Sequence, residues 1–450
     1  MSVTPASSLG RELFKMTWPM LFGVLSLMSF QLVDSAFIGQ LGVLPLAAQG
    51  FTLPVQMIQM GVQIGLGIAA TAVIARALGA QNVTYAKQLA GLVLVSGGLG
   101  IALLGLLIWL LRYPILTLLS APFDVYPIID SYWPYWLVSS WVGAILYFYY
   151  SICRANGNTI LPGVLMVLTS VINIILDPIF IFTLNLGIQG AAMATIVSFG
   201  LGVLIVAPKV MQNKWLSLDW KNLNVKASLA QIGNIMGPAM VSQLLPSVSS
   251  MLATKLLAGF GAAVVGAWAL GSRFEFFVIV PVLALTMSMP PMVGRMLGAK
   301  QLQDVRQLVH IAVKFIIASQ ILIALLTFIS SGFIAGLMSR DTQVTSVLHL
   351  YLVLVPISLG SLGICMLMVS VSNALGKSYT ALLISALRLF VFFLPCLWLG
   401  SQLAGLKGIF IGVLVGNLLA GVCAWFIYRR ALVQVEQLIQ AEKSDSPSSV

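Results

Sequence analysis

Of the twelve Asp and Glu residues in this 450-residue chain, only Asp34, Asp177 and Glu275 fall inside long apolar runs. A charged side chain at the centre of a membrane helix costs about 2.5–3.5 kcal/mol on insertion scales, so each needs a reason to be there. Asp34 and Asp177 have polar company at helical spacing. Asn173 lies one turn before Asp177 on the same face, and Thr195 and Tyr132 fall at a similar depth in neighbouring runs. Two carboxylates close together in a low-dielectric site cannot both stay charged easily, so such a pair readily takes up a proton. The same carboxylate, amide and hydroxyl oxygens suit a hard cation such as Na⁺. The chemistry in view is reversible binding of H⁺ or Na⁺ by Asp34, Asp177, Asn173, Thr195 and Tyr132. Its rival is a purely architectural polar knot.

The chain around them is 60 % hydrophobic and 8 % charged, with mean hydropathy +1.04. An ordinary soluble domain carries about 25 % charged residues, so a soluble enzyme, a disordered protein and a nucleic-acid binder are all excluded. A polytopic membrane protein remains. The net charge of +11 then reflects where basic residues lie relative to the bilayer rather than affinity for nucleic acid. Cys153, Cys365, Cys396 and Cys423 sit singly in apolar runs, and His310 and His349 are isolated. Neither a disulfide framework nor a resident metal is expected, and no nucleotide-binding GxxxxGK[ST] motif occurs. The first apolar run, 13–38, is too long for a signal-peptide core and reads as a retained helix.

Apolar stretches of about 20 residues or more fall near 13–38, 46–75, 89–111, 131–152, 160–183, 188–211, 229–257, 265–293, 308–336, 346–372, 378–400 and 406–429. The expected fold is all-α with twelve transmembrane helices. Several runs exceed the minimum, which predicts tilt or kinks at Pro19, Pro54, Pro238, Pro246 and Pro281. With the N-terminus inside, basic residues divide roughly 18 to 4 in favour of the inner loops. That places both termini in the cytoplasm.

Span 2 is followed by Arg76-Ala77-Leu78-Gly79-Ala80 and then Lys87-Gln88-Leu89; span 8 is followed by Arg295-Met296-Leu297-Gly298-Ala299 and then Arg306-Gln307-Leu308. The two blocks are 219 residues apart. The same offset maps Pro19 onto Pro238, Leu41-Gly42 onto Phe260-Gly261 and Gly157 onto Gly376; with one gap, Gly187-x-x-Gly190 maps onto Gly405-x-x-Gly408. The chain therefore reads as residues 1–12, a first six-helix lobe at 13–211, a basic linker at 212–228, a second lobe at 229–430 and a polar, Ser-rich tail at 431–450. An even helix count per half gives both lobes the same orientation, a transporter architecture.

The two parallel halves, the RxLGA loop in each and the run Asn173-x-x-x-Asp177-Pro178 resemble the multidrug and toxic compound extrusion (MATE) family over essentially the whole chain. Asp34 with Asn173, Asp177 and Thr195 is similar to its DinF-like branch. The NorM-like branch carries acidic residues in the middle of spans 7 and 10, which this chain lacks. The resemblance implies a bacterial inner-membrane antiporter that acts as a monomer. It would export amphipathic, often cationic drugs such as ethidium and fluoroquinolones in exchange for H⁺. Its partners would be the drug, H⁺ or Na⁺ and the lipid bilayer, with no cofactor. It also implies that protonation bends span 1, with Pro19 as hinge, and squeezes drug from the first-half cavity.

The repeat supplies an internal control. Asp34 maps onto Ala253, Asn173 onto Phe392, Asp177 onto Cys396 or Pro395 and Thr195 onto Leu414, so the acidic cluster belongs to the first half alone. At 1.5 Å per residue its members lie within about 10 Å of one level in the outer half of the bilayer. Phe30, Met57, Met166 and Ser170, with Met28 and Met60, are the candidates for drug contact, since soft Met surfaces adapt to varied apolar guests. Arg273 and Glu275 point to different faces of span 8 and are expected to have buried structural partners where the halves meet, with a substrate contact as the alternative. Na⁺ coupling through Asp34, Asn173, Asp177 and Thr195, and a lipid or lipid-linked-sugar flippase, remain the alternatives.

Overall fold

The computed structural model describes residues 6–444, and every regular element among them is helical. Residues 1–5 and 445–450, the ends of the expected N-terminal segment and tail, lie outside the described residues. In chain order the helices are α1 (Ala6–Gln40), α2 (Val43–Gly79), α3 (Val83–Leu110), a short α4 (Arg112–Leu118), α5 (Tyr126–Ala155), α6 (Ile160–Pro178) and α7 (Gly187–Gln212). They continue with α8 (Val225–Ala258), α9 (Ala262–Val278), α10 (Val280–Gly298), α11 (Leu302–Met338), α12 (Thr342–Leu354), α13 (Leu359–Ala374), α14 (Ser378–Ala386) and α15 (Leu394–Ser444).

By length and composition, ten of the described helical stretches can cross a membrane. The last of these, Ser378–Ala441, contains two passages, because α15 is broken at Ala404 and Gly405. The passage made by α8 is diluted by Ser242, Gln243, Ser247, Ser249 and Ser250 and completes the twelve. Proline places the breaks. Span 8 divides into α9 and α10 just before Pro281, and span 10 divides into α12 and α13 at a 3₁₀ turn, Val355–Ser358, that holds Pro356. A proline ring removes one helix hydrogen bond and crowds the preceding turn. Pro19 and Pro54, by contrast, sit inside α1 and α2 without interrupting them.

Two compact units result, residues 15–240 and residues 1–14 with 241–450. Their boundaries fall within α1 and within α8. The segment 212–228, expected as a linker, belongs to the first unit. Ser217 N–H donates to Lys87 O (3.0 Å) and Gln88 Nε2 to Asp219 O (2.9 Å), which docks it on α3. In the second unit α15 runs on as helix through residues expected to form a tail, with Ala431, Leu432 and Val435 buried and Arg306 bonded to Glu436.

The repeat is visible in the backbone of each unit. Left-handed or related positive φ values occur at Gly42 (113°) and Gly261 (109°), Gln81 (62°) and Lys300 (58°), Gly157 (81°) and Gly376 (75°), and Gly187 (55°) and Gly405 (57°). The first three pairs are separated by the sequence offset of 219, and the last by one residue less. The cores repeat as well. One contains Ile38, Ala48, Ile129, Tyr132 and Ala191; the other contains Leu257, Ala267, Leu348, Tyr351 and Ile409 at the equivalent positions.

A membrane-embedded acidic cluster

The first unit gathers its polar side chains from four helices. On α6 the residues Met166, Ser170, Asn173 and Asp177 are spaced to form one stripe, and all are buried. The opposite face of the same helix presents Val164, Leu168, Val171 and Ile175, all exposed as large apolar groups. The helix thus turns its polar residues inward and its apolar residues outward, as a helix in lipid must when it carries a site.

Asn173 is the centre of the network. Its Nδ2 donates to Thr195 Oγ1 at 3.1 Å and lies 3.4 Å from Ser198 Oγ. Thr195 and Ser198 hold their own hydroxyls in place by donating to Ala191 O (3.0 Å) and Thr195 O (3.1 Å) on α7. Asp177, one turn along α6, is fully buried. Asp34 comes from α1, where its Oδ1 is shut off from solvent and accepts no hydrogen bond among the described groups. Its charge reaches both Asp177 and the buried Tyr132 hydroxyl on α5. The five expected residues, Asp34, Tyr132, Asn173, Asp177 and Thr195, are therefore brought into one cluster.

Ser198 is a sixth member that sequence reasoning missed. Its signal was present, one helical turn beyond Thr195 on the same face. Tyr132 also acquires a second reading, because the repeat places Tyr351 at its position and both are core residues. A tyrosine kept in both halves has an architectural function beside whatever it does for the acids.

The residues expected to touch drug are placed differently from one another. Phe30 is buried with its ring edge-on to Phe199, centroids 6.0 Å apart. Ser170 belongs to the stripe below Asn173. Met166 packs where α1 and α6 cross: a Cβ on Gly23 would lie 2.8 Å from its sulfur. Met57 is 45 % exposed on α2. Pro19, the expected hinge, is at the same crossing, and a Cβ on Gly163 would lie 2.5 Å from Pro19 O.

In the second unit Glu275 does not pair with Arg273. Its Oε2 accepts a hydrogen bond from Tyr351 Oη at 2.8 Å and faces the charge of Arg388. Arg273 is two residues away, on another face of α9 and exposed. No group of three or more His, Cys, Asp or Glu that could hold a metal is found among the described residues.

A family model for MatE matches residues 19–179 and again residues 238–399. The chain belongs to the MATE family. The two matches begin at Pro19 and Pro238, so the family unit is the half-chain repeat itself. MATE proteins are transporters, and this chain is a multi-pass membrane transporter rather than an enzyme. Among solved structures it is similar to the Vibrio cholerae MATE transporter VcmN in the bent form. That structure is 66 % identical, with a TM-score of 0.95 over 96 % of this chain and 99 % of that one. Among characterised relatives it is 31 % identical to a FAD transporter of Shewanella oneidensis over 94 % of this chain and 95 % of that protein. It is 24 % identical to the multidrug export protein MepA of Staphylococcus haemolyticus over 97 % and 98 % of the two chains.

Proposed function

We propose that this MATE transporter is a DinF-like multidrug exporter of the bacterial inner membrane, with both termini in the cytoplasm and H⁺ as its counter-ion. The observation that carries this reading is the cluster of Asp34, Asp177, Asn173, Thr195 and Ser198, of which Asp177, Asn173 and Ser198 are buried, confined to the first unit. Two carboxylates in mutual reach, one with an oxygen that accepts nothing, are arranged to gain a proton rather than to hold two charges. The Asn173–Thr195–Ser198 bonds fix the neighbouring oxygens, so that a change of charge at Asp34 is felt by α1 instead of being absorbed by rotating side chains.

The transport step follows from that arrangement. A proton entering from outside neutralises the pair and weakens what holds a cationic drug nearby. Pro19 supplies α1 with a position that lacks one backbone hydrogen bond, where the helix can bend at low cost. The bent form described for the 66 % identical V. cholerae transporter supports this hinge. Drug export is supported by the resemblance to MepA. A second reading is favoured by the more similar Shewanella relative, which transports FAD: a large anionic flavin nucleotide as cargo.

Everted vesicles separate these readings. Ethidium accumulation driven by a lumen-acid pH gradient, absent with a Na⁺ gradient alone and abolished by Asp34→Asn at normal protein levels, is the expected result. Undiminished accumulation by Asp34→Asn refutes the mechanism. Drive by Na⁺ alone reassigns the same oxygens to a metal cation. FAD uptake without ethidium uptake selects the flavin cargo.

A further inference from the structure

The acidic cluster lies toward the outer end of the first unit, and a proton bound there has to leave toward the cytoplasm. α5 and α6 carry buried hydroxyls along that direction. Ser170, one turn below Asn173, is fully buried with its Oγ unpartnered. Thr169 beside it is also buried and donates to Leu165 O at 2.8 Å. From α5 the Tyr150 hydroxyl approaches Thr169, buried and outside hydrogen-bonding geometry with any described group. One turn further, Arg154 Nη2 donates to Ser151 Oγ at 2.9 Å at the end of α5. Between Asp177 and Arg154, polar groups thus recur along α6 and α5 over about 25 Å of membrane.

Burying polar groups in lipid without function is costly, and two unpartnered hydroxyls in line are the kind of site that holds water. The second half does not repeat them. At the offset of 219, Val369 stands for Tyr150, Leu389 for Ser170 and Arg388 for Thr169. At these three positions the second half, which lacks the acidic pair, has no hydroxyl.

Resting on the H⁺-coupled reading above, we propose that Ser170, Thr169 and Tyr150 form the exit route for the coupling proton, from Asp177 and Asn173 to the Ser151–Arg154 end of α5. The proton leaves the carboxyl, and water between the hydroxyls passes it on. Each hydroxyl accepts one proton from above and gives up its own below, so one proton reaches cytoplasmic water and every side chain ends as it began. The charged and titratable groups along the seam are Asp34, Asp177 and Tyr132 at its outer end and Cys153 and Arg154 at its inner end.

The test uses Tyr150→Phe and Thr169→Val in the full-length protein in proteoliposomes, with ethidium as probe. Ethidium binding at several pH values and ethidium exchange at equal pH report the cluster and the moving helices; transport under an imposed pH gradient reports the proton cycle. Both variants are expected to keep wild-type binding and exchange while gradient-driven transport slows by about ten-fold or more, and Thr169→Ser should restore the rate. Gradient-driven transport at the wild-type rate in both variants overturns the route. Loss of pH-dependent binding or of exchange also overturns it, since the hydroxyls would then be holding the cluster together. A wild-type protein indifferent to the pH gradient would remove the H⁺ reading itself, and that is seen before any variant is made.

Discussion

Gly163→Ala is the perturbation that bears most directly on the α1–α6 crossing. The added methyl carbon would stand 2.5 Å from Pro19 O, 2.7 Å from its carbonyl carbon and 2.8 Å from its Cβ. Ordinary contact begins at about 3.4 Å, so α1 and α6 must separate by roughly 0.9 Å, and the opposing atoms are backbone and a ring with no rotamer to change. Overpacking of this kind costs about 1–3 kcal/mol. In a bilayer the separated helices stay helical, so the propensity advantage of alanine over glycine offsets little of it. The same crossing contains a milder counterpart. In Gly23→Ala the nearest atom is the Met166 sulfur at 2.8 Å, at the end of a side chain with three rotatable bonds, and the loss should stay below about 1 kcal/mol. Gly50 meets nothing within 4 Å, so Gly50→Ala serves as the neutral control.

The expected order of melting temperature in detergent is therefore Gly50→Ala close to wild type, Gly23→Ala slightly lower and Gly163→Ala clearly lowest. Transport should follow the same order more steeply. Pro19 lies about 22 Å along α1 from Asp34, and a displacement at the crossing reaches the acidic cluster as a tilt of the helix that carries it. If Gly163→Ala melts and transports ethidium like Gly50→Ala, the backbone approach at Pro19 is not a determinant of the fold, and the hinge loses its fixed point.

Two further predictions probe other close approaches. A Cβ on Gly271 would fall 2.7–2.8 Å from three atoms of the Tyr351 ring, which Trp268 and Phe410 hold edge-on at 5.7 and 5.6 Å; Gly271→Ala should cost about 1–3 kcal/mol and break the Tyr351–Glu275 bond, whereas Gly266→Ala, with its nearest atom at 3.9 Å, should melt like wild type. Equal melting of the two variants would refute that packing. A Cβ on Gly91 would run into Ser217 O, so Gly91→Ala should lift the 213–224 segment from α3 and speed tryptic cleavage at Lys214 and Lys221, while an unchanged cleavage rate would show the segment is held elsewhere.

Most of the architecture was legible because lipid constrains sequence severely. Twelve apolar runs, and an offset that puts Arg76 against Arg295 and Gly157 against Gly376, follow from the need to cross a bilayer twelve times with one six-helix plan used twice. The turn glycines were readable for a local reason, since positive φ at Gly42, Gly187, Gly261 and Gly405 is open to few other residues. The cluster was legible in outline through the asymmetry of the halves, where an aspartate faces an alanine or a cysteine at the equivalent position. Hydropathy could not reveal which apolar-looking faces meet. Met166 reads equally well as a cavity wall and as the partner of Gly23, and only the fold shows its sulfur packed against that glycine. Nor could residue spacing give Glu275 its partner, because Tyr351 comes from 76 residues away and is chosen by the fold. The same limit explains Ser170 and Tyr150. Each is an unremarkable hydroxyl in its own helix, and they acquire a shared direction only when α5 and α6 are laid side by side beneath two aspartates.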